Sequence, residues 1–159
     1  MIEQKAFGNL KSLNVKSIRK QRRFYRVIKR VFDIFVSLFG LIIFSPFILL
    51  LIVMIRLESE GPGIYCQERL GEGGRIYTMY KLRSMYVDAE KNGPQWAERD
   101  DVRVTKIGKF IRRTRLDELP QLLNVLKGEM SIVGPRPERE YFARQFSKQY
   151  SEYSKRLLI

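Results

Sequence analysis

The amino-acid sequence predicts a mostly α-helical protein with a small β-hairpin, attached to a membrane. Three observations predict it. Residues 34–55 are 22 consecutive positions without a charge, and as one helix they would extend roughly 33 Å, close to the roughly 30 Å of a hydrocarbon core. Ile64 to Arg69 and Arg75 to Leu82 are rich in β-branched and aromatic residues and flank Gly71-Glu72-Gly73-Gly74, a hairpin signal. Apolar residues at 119, 122, 123 and 126 recur at helical spacing between Pro120 and Gly128, residues suited to a helix's first turn and to its C-terminal stop.

Size and charge narrow the function classes. A chain of 159 residues holds one membrane element and one soluble domain of roughly 100 residues, with no room for a second catalytic domain. The net charge of +13 points to lipid head groups, nucleotide phosphates or nucleic acid, and the bilayer-length run favours the first two. One cysteine, Cys66, and no histidine exclude an internal disulfide framework and disfavour zinc chemistry or a His-activated thiol.

In chain order, residues 1–30 read as a basic N-terminal segment lying on the membrane surface, through Arg19, Lys20, Arg22, Arg23, Arg26, Lys29 and Arg30. No cleavable signal peptide is expected, because the apolar segment is long, starts late and lacks a cleavage site. Residues 31–57 form the membrane element, and Ser45-Pro46 interrupts it. A proline there costs roughly 3 kcal/mol and divides the run into halves of 11 and 9 residues. Each half reaches roughly the bilayer midplane, so a kinked span and a re-entrant helix-break-helix hairpin both fit. The residues alone favour the span, since kinked spans are ordinary. Cations on both sides, with Arg56, Arg69, Arg75, Lys81 and Arg83 after the run, suit two cytoplasmic flanks, while their greater density before the run equally suits a single span with its N-terminus inside. The Ser45 hydroxyl is placed to bond a carbonyl that Pro46 frees.

Residues 58–159 make the soluble domain. Glu58 to Gly63 is a turn-rich exit, the hairpin follows, and Lys81 and Arg83 share one face of its second strand. The glycine-rich turn is a hairpin connection before it is a phosphate cradle, as no helix N-terminus follows closely. Val87 to Asp100 reads as a polar loop. Four cations among residues 109–115 then precede Leu116-Asp117-Glu118-Leu119-Pro120, which predicts Asp117 at or beside a helix N-cap and Glu118 in the first turn. Capping with ion pairing is the plain reading of such a pair. Among these cations, however, an ionised carboxylate can serve as a nucleophile, its neighbour can hold Mg²⁺, and the helix N-terminus can receive phosphate, which are the parts of a phosphoryl-transfer site. Arg136, fixed between Pro135 and Pro137, suits a phosphate or nucleotide clamp or a rigid surface turn. Glu138 to Arg156 reads as a polar helix at the head-group level.

Taken in order, Lys29-Arg30-Val31-Phe32-Asp33, Ser45-Pro46, Gly61-Pro62, Gln67-Glu68-Arg69-Leu70-Gly71, Lys81-Leu82-Arg83-Ser84-Met85, Thr105-Lys106-Ile107-Gly108, Leu116-Asp117-Glu118-Leu119-Pro120-Gln121 and Gly134-Pro135-Arg136-Pro137-Glu138 resemble the bacterial sugar transferase family, the small monotopic phosphoglycosyl transferases. The resemblance implies a re-entrant hairpin broken at Ser45 and Pro46, reversing the residue-level preference, with a cytoplasmic catalytic domain at the bacterial inner membrane. It implies Asp117 as nucleophile on a UDP-sugar, with release of UMP and a covalent phosphosugar that passes to polyprenyl (undecaprenyl) phosphate, the first membrane step of glycan assembly. Glu118 would bind Mg²⁺, Arg112 and Arg136 phosphate or uridine, and Lys81 and Arg83 would be further substrate-binding candidates. Membrane lipids are expected partners, nucleic acid is not, and a homo-oligomer is admitted. The family pattern continues beyond Ile159, so truncation at the C-terminus is expected. The competing reading is a non-enzymatic, membrane-anchored basic module that binds anionic lipid or RNA.

Overall fold

The computed structural model describes residues 23–91, 93–98, 100–150 and 153. Most of the expected surface segment, including Arg19, Lys20 and Arg22, lies outside the described residues. The remainder is mostly helical, with one two-stranded sheet.

Helix α1 (Arg23–Glu58) is 36 residues long and contains Pro46. The helix runs through Ser45 and Pro46, and the backbone there is satisfied locally. Pro46 has no N–H to give the Ile42 carbonyl four residues back, and the Ser45 hydroxyl donates to that carbonyl instead, at 3.1 Å. Among the described residues this is the one helix long and apolar enough to cross a membrane. Phe35, Ile42 and Leu57 on it are 71 %, 65 % and 83 % exposed. Apolar surface on that scale is stable against lipid rather than water, so the chain is membrane-associated through α1.

Strands β1 (Ile64–Leu70) and β2 (Ile76–Leu82) form the predicted hairpin. Its connection is closed by Gly71 N–H to the Arg75 carbonyl at 2.8 Å and Gly74 N–H to the Gly71 carbonyl at 3.1 Å, with Gly73 and Gly74 at φ of 70° and 74°, where glycine is unstrained. After the loop come α2 (Lys106–Arg113), a 3₁₀ turn (Leu116–Glu118), α3 (Gln121–Lys127) and α4 (Glu140–Gln149). Gly128, at φ 85°, stops α3 as its sequence position predicts. The expected helix from Glu138 to Arg156 is shorter: Tyr150 is already extended, at φ −129° and ψ 107°, and residues 151, 152 and 154–156 lie outside the described residues.

The chain resolves into two compact units. One consists of Phe39–Cys66 and Tyr80–Leu123. Its core joins the last turns of α1 to β2 and α2 through buried Leu51, Ile55, Leu82 and Ile111, with Ile48, Ile52, Ile64, Ile107 and Leu116 packed on them. Two charged side chains fix the helix ends around that core. Arg83, 5 % exposed, donates to the carbonyls of Ser59 at 2.7 Å and Glu60 at 2.6 Å and to the Ser59 hydroxyl at 2.8 Å, satisfying the end of α1. Glu58 in turn accepts from the N–H groups of Lys106 at 2.7 Å and Ile107 at 3.1 Å, and Thr105 accepts from Gly108 N–H at 2.9 Å, so the start of α2 is capped twice. The loop before α2 is gathered by Arg103, which pairs with Asp101 at 2.6 Å and donates to the carbonyls of Ala89 and Trp96 at 3.0 and 3.1 Å. A cavity of about 320 Å³ in this loop is lined by Tyr86, Asp88, Ala89, Lys91, Gln95, Val102 and Arg103.

The other unit contains the described residues of 23–38, Gln67–Met79 and the chain from Asn124 onward. Arg30 donates to the Val125 and Leu126 carbonyls at 2.5 and 2.7 Å, neutralising the C-terminal end of α3. Asn124, fully buried, donates to the Thr78 carbonyl at 2.7 Å and to Glu129 at 2.6 Å. Tyr77 is buried in the same unit, and burial pushes its phenol up to about 12.

Gly108 is where α2 comes closest to its neighbour: a Cβ there would collide with the Ser84 carbonyl oxygen. Gly108→Ala should therefore lower stability by about 1–3 kcal/mol, read as a reduced thermal midpoint. Gly134→Ala, with open space around it, should stay within about 0.5 kcal/mol of wild type.

Candidate functional site

The site begins where α2 ends. Thr114 closes the helix and Arg115 takes a left-handed backbone at φ 60° and ψ 15°, a conformation that costs a non-glycine residue about 1–2 kcal/mol and that recurs at functional sites. The chain then reverses into the 3₁₀ turn, held by Glu118 N–H to the Arg115 carbonyl at 3.2 Å and Leu119 N–H to the Leu116 carbonyl at 3.2 Å. Asp117 thus sits inside that turn, ahead of Pro120, rather than at the cap of α3. The helical repeat of apolar residues concealed the intervening turn, because a 3₁₀ turn and a first helical turn share their i→i+3 spacing.

Asp117 is 8 % exposed. Burial pushes its carboxyl above the ordinary carboxylate value and Glu118 adds to this, while Lys81 from β2 and Arg112 from α2 pull the other way. Burial wins, so the cations hold the charge without fully offsetting its desolvation. Glu118 is half-buried; its Oε1 lies 3.5 Å from Lys81 Nζ and 3.8 Å from Arg115 Nη1. One unit therefore assembles two carboxylates with Lys81, Arg112 and Arg115.

Lys81, Arg112, Asp117 and Glu118, the candidates that the residues and the resemblance named, are brought together in one unit. Arg83 serves elsewhere, because its guanidinium is buried against the end of α1, and desolvation lowers its pKa. The strand period placed Lys81 and Arg83 on one face, but only the packing shows that one ends beside carboxylates and the other beside carbonyls. Arg136 is exposed on its loop in the other unit. Arg115 and Glu58 were not singled out from sequence; the i,i+3 spacing of Arg115 and Glu118 was the available signal for the first, and the bond of Glu58 across 48 positions left none for the second. No group of three or more His, Cys, Asp or Glu side chains able to hold a metal occurs among the described residues. A Mg²⁺ fits this site in the form that needs no cage, held by one or two carboxylates together with substrate phosphates.

A model of the bacterial sugar transferase family matches residues 24–159. The chain belongs to the bacterial sugar transferase family. A Bacillus subtilis protein, provisionally named an undecaprenyl-phosphate N-acetylgalactosaminyl 1-phosphate transferase, is 56 % identical over 133 residues, covering 84 % of this chain and 74 % of its own length. An Aeromonas hydrophila UDP-N-acetylgalactosamine-undecaprenyl-phosphate N-acetylgalactosaminephosphotransferase is 46 % identical over 135 residues, 85 % of this chain and 32 % of that one. A Caulobacter vibrioides UDP-glucose:undecaprenyl-phosphate glucose-1-phosphate transferase is 41 % identical over 128 residues, 80 % of this chain and 48 % of that one. Relatives named as phosphoglycosyl transferases make this sugar transferase an enzyme by family, while the chain spans about three quarters of the first of them and half or less of the other two.

The raised carboxyl of Asp117 has a consequence for stability. A group whose folded pKa lies above its unfolded value binds more protons when folded, so stability falls as pH rises from the unfolded pKa through the folded one. At neutral pH an ionised Asp117 thus opposes folding. Asp117→Asn, which keeps the shape and removes the charge, should raise the thermal midpoint of the metal-free protein at pH 7. That gain should shrink as the pH is lowered through the raised pKa of Asp117 toward the ordinary carboxylate range, which thermal scans across pH would show.

Proposed function

We propose that this sugar transferase moves a sugar 1-phosphate from a UDP-sugar to undecaprenyl phosphate in two steps, through a covalent phosphosugar on Asp117. The observation that supports this most is the placement of a buried carboxylate between Lys81 and Arg112, with a second carboxylate beside it. In the first step an Asp117 carboxylate oxygen attacks the sugar-proximal phosphorus. The new acyl-phosphate bond forms as the bond to the UMP oxygen breaks, and UMP leaves with that electron pair. Lys81 and Arg112 offset the charge that collects on the phosphoryl oxygens. Burial serves this step, since a desolvated carboxylate with a raised pKa is more basic than one in water. In the second step a phosphate oxygen of undecaprenyl phosphate attacks the same phosphorus, and the acyl-phosphate bond breaks to return the Asp117 carboxylate. Glu118 would hold Mg²⁺, which when bound neutralises charge on the diphosphate.

In the same reading α1 is a re-entrant element whose two flanks face the cytoplasm at the inner membrane. The cations on both sides of the uncharged run support this, and the bond from the Ser45 hydroxyl to the Ile42 carbonyl satisfies the group that Pro46 frees, which a bend in hydrocarbon at that point requires.

Incubation of the full-length protein with UDP-sugar and Mg²⁺, without acceptor, should release close to one equivalent of UMP per active site and add the mass of a phosphosugar. Asp117→Asn should do neither, and an adduct on that variant would remove Asp117 from the role. For topology, with Cys66 replaced by Ser, single cysteines near Lys5 and near Tyr150 should both resist a membrane-impermeant thiol reagent in intact cells. Labelling at one position alone would establish a true span.

A further inference from the structure

The transfer above uses Asp117, Glu118, Lys81 and Arg112, and it leaves Arg115 without a part. Arg115 directly follows Thr114, the C-cap of α2, and its backbone is left-handed. Glycine is the usual residue there, because it has no Cβ to strain. Among the described residues Asp100 and Arg115 alone hold a positive φ without being glycine. The helix end does not need the Arg115 side chain. Thr114 donates to the Phe110 carbonyl through its N–H at 3.1 Å and its hydroxyl at 2.8 Å, that hydroxyl also reaches the Ile111 carbonyl at 3.3 Å, and Arg115 N–H donates to the Arg112 carbonyl at 3.3 Å. The last carbonyls of α2 are thus met by backbone and hydroxyl donors, and an arginine kept where glycine would be unstrained points to a use for its guanidinium.

Its place in the site suggests which use. Arg115 Nη1 and Lys81 Nζ approach the same oxygen of Glu118, at 3.8 and 3.5 Å, but the Arg115 side chain is 72 % exposed and that of Lys81 17 %. Lys81 therefore stands at the inner edge of the site and Arg115 at its outer edge, within the one unit that also holds Asp117. An in-line displacement sets the leaving oxygen opposite the attacking one. With the attack coming from a carboxylate 8 % exposed, the leaving group is expelled toward solvent, which is the side Arg115 occupies. The Arg115–Glu118 pair is too long for a hydrogen bond and exposed pairs of this kind contribute little, so the guanidinium is available to a phosphate, whose oxygens its planar fork matches.

We propose that Arg115 binds the phosphate of the departing UMP. As the bond between the transferring phosphorus and the UMP oxygen breaks, its electron pair stays on that oxygen. Arg115, which keeps its own proton throughout, hydrogen-bonds to the UMP phosphate as the charge collects there. Lys81 and Arg112 remain with the phosphoryl group now on Asp117. Arg115 thus serves the first half-reaction and its reversal by UMP, and has no part in the second, where no nucleotide is present. This assignment rests on the two-step transfer proposed above.

The test uses the full-length protein in nanodiscs and measures three rates: the acceptor-free burst of UMP, exchange of labelled UMP into UDP-sugar, and transfer from the isolated phosphosugar-bearing protein to undecaprenyl phosphate. Arg115→Gly removes the guanidinium and relieves the backbone, so its thermal midpoint should equal or exceed that of the wild-type protein. Its burst should nevertheless slow about tenfold or more, and the UMP concentration that half-saturates exchange should rise by a similar factor, while transfer to the acceptor stays unchanged. Arg115→Lys keeps the charge and should recover part of both losses, and Arg113→Ala, which lowers the net charge equally at a neighbouring exposed position, should leave all three rates as they were. A burst in Arg115→Gly as fast as wild type would overturn the proposal, as would an equal slowing of transfer to the acceptor. So would a raised Mg²⁺ requirement with an unchanged dependence on UMP, which would mean that Arg115 acts through Glu118. Absence of a burst from the wild-type protein would instead remove the two-step reaction itself, and this assignment with it.

Discussion

Everything in the catalytic unit depends on how the apolar helix is brought to an end. A helix leaving lipid has four carbonyls without intrahelical partners, and Arg83, next after β2, donates to one of them, that of Ile55 at 3.4 Å, and to the carbonyls of Ser59 and Glu60 just beyond the helix. The last residue of that helix, Glu58, then caps α2. Because α2 delivers Arg112 and the left-handed Arg115 directly to the 3₁₀ turn, the geometry around Asp117 is referred back through two caps to the membrane element. The apolar contacts of Leu51 and Ile55 with Leu82 and Ile111 seal the same junction. Membrane attachment and catalytic geometry are thus one structural problem here, with one solution.

The charges in the site are arranged against stability. Placing a carboxylate 8 % exposed is costly unless it is paired, and the charges of Lys81 and Arg112 offset its desolvation incompletely while Glu118 adds to the cost. The strained backbone of Arg115 adds to that cost. Both features are of the kind selection keeps where reactivity matters more than stability. The apolar core directly beneath, with Ile111 fully buried, is what tolerates them.

Much of this was legible in the sequence, and the parts that were not share a cause. The uncharged run, the hairpin around Gly71 to Gly74 and the Gly128 stop are local signals, and each appears where the residues put it. Asp117 and Glu118 were singled out because they adjoin four cations, and the fold sets Lys81 and Arg112 near them as well. Misreadings arose where long-range packing decides. Arg83 reads as a ligand-binding or solvated cation until the end of α1 is seen to close over it. The 3₁₀ turn before Pro120 and the early end of α4 at Gln149 are boundary effects that periodicity does not resolve.

The link from the membrane helix to Asp117, the proposed nucleophile, is tested most directly by the rate of the acceptor-free UMP burst in Glu58→Ala, compared with Glu58→Gln. Loss of the α2 cap by Ala should slow the burst about tenfold or more while α1 remains in the membrane, and Gln, which can still accept from Lys106 and Ile107, should retain most of the rate. A burst in Glu58→Ala as fast as that of the wild-type protein would contradict the account, since the site would then hold its geometry without support from the end of the membrane helix.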